Sequence, residues 1–276
     1  MTTTATTARP TTIESAHWYT KTGEPMHTMT AKAGHERPTT LADAKKLGLL
    51  PSPTSILQVL DKPALTNWKI EMACLAVLTA QRQDGELLDA FAKRVLSEER
   101  QQDEIGDAAK DLGTQCHDAL EKFLKGEAVE WTDQLRVMLT PVCEWLHGKH
   151  PVAIERVLVG DGYAGKVDAI LKAGSRVLIV DYKTTSKLPK MSYPEHRMQL
   201  SSYAAAYQAE TDVQPCEIVT VNIYISKAEP GKIAVCENLS WLTDFTAFEK
   251  ARDLWCYLKG YTPAKSVDAA LTEAGL

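Results

Sequence analysis

Between residues 153 and 237 the apolar and polar positions alternate in short runs; between 51 and 147 they recur at helical spacing. Residues 153–159, 164–171 and 177–183 predict three successive strands. A polar segment, Thr184 to Met191, leads into a helix from about Tyr193 to Ala209. Glu217 to Ser226 sets Ile218, Thr220, Asn222 and Tyr224 against Val219, Val221, Ile223 and Ile225. Both faces are largely apolar, so this segment reads as an interior strand. A shorter strand, Lys232 to Glu237, and a helix from Trp241 to Lys259 complete the pattern.

Upstream, His17 to Met29 predicts a short hairpin turning at Gly23, and Pro51-Ser52-Pro53-Thr54-Ser55 carries the capping residues of a helix start. Further helices are predicted from Pro63 to about Gln83, Glu86 to Glu104, Asp107 to Leu124 and Trp131 to His147. The second of these places Leu87, Phe91, Val95 and Leu96 on one side, and Gly126 stops the third. The expectation is an α/β fold: a mixed central β-sheet flanked by helices, with a helical N-terminal region. The chain divides into a loose tail (1–15), a hairpin and helical region (16–105), a core (106–262) and a C-terminal tail (263–276).

The turns between the strands set a register. Gly174-Ser175 suits a tight type II′ turn, and a hairpin centred there puts Asp168 directly opposite Asp181. Centring the preceding hairpin on Asp161-Gly162 puts Glu155 opposite Asp168. Three carboxylates then form one row across three strands. Facing side chains have Cβ atoms roughly 4.5–5.5 Å apart, where like charges destabilise a sheet. Such a row makes sense as a site for a hard divalent cation, Mg²⁺ or Mn²⁺. It also implies that neutralising Asp181 leaves the metal-free fold at least as stable. Lys183 projects from the same face as Asp181, suited to orienting a water and offsetting charge on a phosphate. Spacing alone leaves open a surface hairpin with scattered acids and a solvated lysine.

Composition is ordinary for a globular protein, at 44% hydrophobic and 24% charged residues. No apolar run reaches the roughly 18 residues needed to span a bilayer, and the Thr-rich start has no apolar core of a secretory signal. These features point to a cytoplasmic protein without a membrane partner. The six cysteines form no C-x₂-C pair and read as reduced, mostly buried thiols, with no iron–sulfur cluster expected. Net charge is −5, yet the window from Lys149 to Arg197 holds nine basic against five acidic residues. Local positive potential there suits a phosphate-backbone substrate.

Two further groups stand at helical spacing: Gly113 with His117, and Gln199 with Tyr203. Taken singly they are a core histidine and ordinary amphipathic packing. Taken in order, G-x-x-x-H, the hairpin Asp168, Asp181-Tyr182-Lys183-Thr184 and Q-x-x-x-Y resemble the RecB-like exonuclease branch of the PD-(D/E)XK nuclease superfamily, over about residues 110–210. The upstream Pro51–Leu57 run with Trp68 is similar to phage-type members. The resemblance implies a restriction-endonuclease-like core (106–262) and metal-dependent phosphodiester hydrolysis. It implies metal ligation by His117, Asp168, Asp181 and the Tyr182 carbonyl, a catalytic Lys183, and Gln199 and Tyr203 bracing site and substrate. Glu155 is added to the site from register alone.

These readings lead to a Mg²⁺/Mn²⁺-dependent deoxyribonuclease, an exonuclease of recombination, repair or phage DNA metabolism, in a bacterial or phage-infected cell. Thr184, Thr185, Lys187 and Lys190 become candidate phosphate contacts on single- or double-stranded DNA. A single-strand annealing or recombination protein is the candidate partner. The alternatives are a non-catalytic nucleic-acid-binding module on the same scaffold and a structure-specific endonuclease.

Overall fold

Ser52 accepts a hydrogen bond from the Ser55 N–H, and Thr40 forms a reciprocal capping box with Asp43; these two caps organise the region ahead of the helices. The computed structural model describes residues 17–31, 34–61, 63–105 and 107–263, without the side chains of 64, 65, 68, 69, 98–105 and 107–111. The expected tail at 1–15, nearly all of that at 263–276 and the Trp68 side chain therefore lie outside the described residues.

Strand β1 (Trp18–Tyr19) leads through a turn at Gly23 to a hairpin of β2 (Thr28–Thr30) and β3 (Glu36–Pro38). Helix α1 (Leu41–Leu47) ends at Gly48 in the left-handed region (φ 66), and β4 (Leu50–Pro51) returns to pair with β1. The short α2 (Pro53–Ile56) follows, then α3 (Pro63–Thr79), α4 (Leu88–Ile105), α5 (Asp107–Lys125) and α6 (Asp133–Leu146). Next come β5 (His150–Gly160), β6 (Tyr163–Ala173), β7 (Arg176–Thr185), α7 (Pro194–Ala209), β8 (Ile218–Ser226), β9 (Ile233–Asn238) and α8 (Trp241–Lys259). The main helices and strands fall within a few residues of the sequence pattern. The pieces β3, α1 and β4 lie outside that pattern, because each is too short to establish a period.

Strands β5 to β9 form one sheet in chain order, antiparallel except for the parallel pair β7–β8 that α7 connects. β8 is buried at every position, as its two apolar faces require. On one face Val167, Ile170 and Ile179 pack with Tyr203 and Ala204 of α7 and with Phe248 and Trp255 of α8. On the other, Ala169, Leu178, Val180 and Val221 pack with Cys116 and Leu120 of α5 and Met138 and Leu139 of α6. The result is a helix–sheet–helix sandwich, the mixed α/β fold expected.

The cysteines depart from expectation. All six are free, but only Cys116 is buried; Cys143, Cys236 and Cys256 are half-buried, and Cys74 and Cys216 are exposed. Burial pushes the Cys116 and Cys143 thiols up to about 11, which leaves them unreactive at neutral pH.

Two glycines set how closely helices approach the sheet. A Cβ on Gly165 would lie 2.8 Å from Pro53 Cδ and 2.9 Å from Tyr203 Cε1, and one on Gly113 would lie 3.3 Å from Thr184 Oγ1. Neither the Pro53 ring nor the buried Tyr203 can swing away. Gly165→Ala is therefore expected to cost about 1–3 kcal/mol of overpacking strain in urea unfolding, and Gly113→Ala less. A wild-type midpoint for Gly165→Ala would show that α2 and α7 do not bear on β6.

Candidate active site

β6 and β7 pair only from Ala173↔Arg176 to Ala169↔Val180, whereas β7 pairs with β8 all the way to Thr185↔Ser226. Beyond Ala169, β6 leaves β7 and the sheet opens at one end. The Tyr182 N–H, left without a strand partner on that side, donates instead to Asp168 Oδ2 at 2.8 Å. A strand residue directs its N–H and C=O to the same side, so the Tyr182 carbonyl opens on the same gap.

Both hairpin registers are those read from the turns, but the strands between them are not regular. The β5–β6 ladder runs through Arg156↔Val167 and Ile154↔Ala169 and omits the intervening pair Glu155 and Asp168. Val167 and Ile170 join the same core cluster although they are three apart, so β6 changes face at Asp168. Glu155 has φ 50, the one non-glycine residue with positive φ among the described residues, at a cost of about 1–2 kcal/mol. The expected flat row of three facing carboxylates thus does not form. A period of two running straight through Glu155 and Asp168 would give the row, and both strands break it there.

A tighter grouping replaces the row. One ligand atom each from His117, Glu155 and Asp168 lie within 4.8 Å of one another. His117 Nδ1 is 3.4 Å from Asp168 Oδ2, and its ring stands edge-on to Tyr182 with centroids 6.0 Å apart. Asp181 faces a different set. Its Oδ1 accepts from Lys183 Nζ at 2.7 Å and Gln199 Nε2 at 3.4 Å, and its Oδ2 from Asn222 Nδ2 at 3.2 Å. Gln199 Nε2 also reaches Tyr203 Oη at 3.4 Å, so the helical pair on α7 braces the acid on β7. Each carboxylate has its own counter-charge or donors, with Glu155 ion-paired to Lys166.

Electrostatics follow from burial and these partners. Burial works to raise the Asp168 carboxyl, but the hydrogen bond and charge of His117, Lys183 and the Tyr182 N–H outweigh it and hold it below the ordinary value. Burial raises the Asp181 carboxyl, and neighbouring Asp168 adds to the rise against the pull of Lys183. Burial opposes the Lys183 ammonium, yet Asp181 and Asp168 keep it above its usual value, so it is a cation at neutral pH. The same balance, burial against Asp168, leaves His117 raised.

His117, Glu155, Asp168, Asp181, Lys183, Gln199 and Tyr203 therefore converge on the open end of the sheet. The four residues expected to touch phosphate do not act as a block. Thr184 lies against Gly113 of α5, while the Thr185 hydroxyl accepts from the Lys187 N–H at 3.3 Å and leads to exposed Lys187 and Lys190. Two site residues went unread in the sequence. Asn222 is the register partner of Asp181 on β8, and an amide inside an otherwise apolar interior strand was its signal. Lys166 is the counter-charge of Glu155, visible as its near-neighbour across the Asp161-Gly162 hairpin. An imidazole, carboxylate oxygens and a strand carbonyl converging on one gap are a donor set that fits a divalent cation taking oxygen and nitrogen ligands, such as Mn²⁺ or Mg²⁺.

The model of the PD-(D/E)XK nuclease superfamily matches residues 85–255, which include every residue of this grouping. A solved structure described as "Crystal structure of SSO0001" is similar at 18% identity and a TM-score of 0.33, covering 70% of this chain and 87% of that one, a likeness too weak to argue from. No curated protein matches the chain significantly. Among the described residues, no helix is long and apolar enough to cross a membrane. Because the family match spans more than half of the 276 residues, the protein belongs to the PD-(D/E)XK nuclease superfamily.

Proposed function

We propose that the protein is a Mg²⁺- or Mn²⁺-dependent deoxyribonuclease of the RecB-like, phage-type branch, working as an exonuclease in recombination, repair or phage DNA metabolism. Its setting is the cytoplasm of a bacterial or phage-infected cell, beside a single-strand annealing or recombination protein. Nucleases of this superfamily use divalent metals, and nucleic acid is their substrate. The observation that carries the reading is the Asp181–Lys183 ion pair at 2.7 Å, set beside the His117–Glu155–Asp168 grouping where the sheet opens.

In this reading His117, Glu155, Asp168, Asp181 and the Tyr182 carbonyl hold the cation. A bound divalent ion supplies Lewis-acid polarisation of the phosphate and makes water more acidic. Lys183 keeps its ammonium by virtue of the two aspartates and reaches the gap with 28% of its side chain exposed. It orients the attacking water and offsets the charge that grows on the phosphate oxygens. Gln199 and Asn222 hold the Asp181 carboxylate in place, so Lys183 is aimed rather than merely attracted. Tyr203, anchored to Gln199, closes the α7 side. Thr184, Thr185, Lys187 and Lys190 are the proposed phosphate contacts, with Thr184 also lying against Gly113 of α5.

End-labelled single- and double-stranded DNA should be shortened progressively in Mg²⁺ or Mn²⁺, and EDTA should stop the reaction. Undiminished cleavage after complete chelation would sink the metal assignment; internal cuts would favour the structure-specific endonuclease. Lys183→Ala should remove most turnover and leave DNA affinity within a few-fold, since one lysine is a small share of the electrostatic footprint. Wild-type protein that binds DNA but never cuts it in Mn²⁺ would instead be the non-catalytic module.

Asp181→Asn tests how the carboxylate is held. The facing row implied no loss of metal-free stability, but Asp181 accepts from Lys183, Gln199 and Asn222. The amide removes a charge that burial and Asp168 disfavour, but it turns an N–H donor toward Lys183 or Asn222, which are donors themselves. That clash of buried donors should cost about 1–3 kcal/mol of metal-free stability, and the variant should lose the rise in Tm on adding Mn²⁺. Metal-free stability at or above wild type would restore the view that repulsion dominates at this position.

A further inference from the structure

The loop between β7 and α7, with Arg197 of α7, lines an open cavity of about 590 Å³ outside the acid–lysine grouping. It is large enough for a nucleotide, since small-molecule sites run from about 300 to 1,000 Å³. Lys187, Lys190 and Arg197 line it together with Met191 and Tyr193, and no acid among the described residues lines it. Lys187 and Lys190 are exposed and have no carboxylate partner among the described residues. Arg197 leans on Asp244 through Nε at 3.3 Å, leaving the rest of the guanidinium available. Tyr193 is 43% exposed, and Met191 is 69% exposed beside it.

The position of this cavity relative to Lys183 is fixed by the sheet. Lys183 and Tyr224 are register partners on adjacent strands, about 4.8 Å apart by strand spacing. The Tyr224 hydroxyl accepts from the Tyr193 N–H at 3.3 Å and shares a hydrogen bond with His196 Nδ1 at 2.9 Å. The Tyr193 ring is held at right angles to both neighbours, with centroids 5.5 Å from His196 and 6.0 Å from Tyr224. An aromatic ring of fixed orientation thus shares its cavity with three cationic side chains and is linked through Tyr224 to the strand position beside Lys183.

We propose that this cavity is a subsite for an unpaired nucleotide flanking the scissile phosphate, its phosphate on Lys187, Lys190 and Arg197 and its base on Tyr193. The proposal rests on the nuclease reading above and adds a substrate class to it. A base inside a duplex is already stacked and cannot lend its face to a tyrosine. The enzyme therefore engages a single strand or a frayed end, not an intact duplex.

Binding in EDTA separates this from catalysis. The full-length protein is titrated with single-stranded oligodeoxynucleotides carrying 2-aminopurine at each position in turn, and with a blunt duplex. Wild type and Tyr193→Phe should quench one position strongly. Tyr193→Ala should lose that quench and bind the single strand roughly 5- to 150-fold more weakly, the worth of one stacked base, with duplex binding unchanged. Lys187→Ala combined with Lys190→Ala should flatten the salt dependence, by up to about 0.7 in the log–log slope for the one phosphate they hold on a single strand. Unaltered single-strand affinity and quenching in a Tyr193→Ala protein that melts like wild type would overturn the subsite. So would an equal loss for duplex. A protein that shows the quench but never cuts DNA in Mn²⁺ retains the subsite and loses the nuclease reading.

Discussion

The site depends on where β6 stops pairing with β7. Had the ladder continued past Ala169↔Val180, Asp168 would sit directly across from Asp181, two like charges with no space between them for anything else. By leaving the ladder, β6 opens the gap, and Asp168 repays the lost strand contact by accepting from the Tyr182 N–H at 2.8 Å. One carboxylate thus satisfies an orphaned backbone donor, pairs with His117 and faces the proposed cation position. The left-handed backbone at Glu155 belongs to the same event, because β5 must change face wherever its partner does.

Opening a sheet at an acidic cluster is stable only if the acids are individually matched. Glu155 has Lys166, Asp168 has His117 and a backbone N–H, and Asp181 has Lys183, Gln199 and Asn222. These partners come from α5, β6 to β8 and α7, so the site is clamped from both helical layers. Gly113 and Gly165 make that clamp possible: Gly165 lets Pro53 and Tyr203 approach β6, and Gly113 lets Thr184 of β7 approach α5, where a Cβ would intrude. Rigid strands, not loops, therefore carry the proposed chemistry, which would keep the acid and lysine within the small tolerances catalysis requires.

The sequence made much of this legible. Gly174-Ser175 and Asp161-Gly162 specify their hairpins because few residues tolerate those turns, and the observed pairings around them follow. The D-x-K spacing and the i, i+4 pair Gln199 and Tyr203 survive folding because strand and helix periods are local properties. The break at Glu155 and Asp168 was invisible for the opposite reason. A face change is set by neighbouring strands and by α5, and no turn residue marks it. Asn222 was in plain view as a polar residue in a buried strand, but its role needs the parallel register of β7 and β8, and a crossover helix leaves that register open. The pieces β3, α1 and β4 are fixed by caps and tertiary contacts more than by pattern.

The charge distribution finally reconciles a chain of net charge −5 with a polyanionic substrate. Much of the basic surplus between Lys149 and Arg197 is occupied inside the fold: Lys166 holds Glu155, Lys183 holds Asp181, Arg156 holds Glu210, and Lys149 lies 4.1 Å over the Trp145 ring. Lys172 and Arg176 stand at the far tip of the β6–β7 hairpin, away from the open end of the sheet. What remains near the gap is the cluster on the β7–α7 loop, two lysines and a partly engaged arginine. Repulsion from the acidic remainder and attraction to this loop act in the same direction, so a phosphate backbone is drawn to one edge of the site. The proposed metal ligands lie just inside that edge, where a divalent ion would add its own positive charge to the field the incoming strand meets.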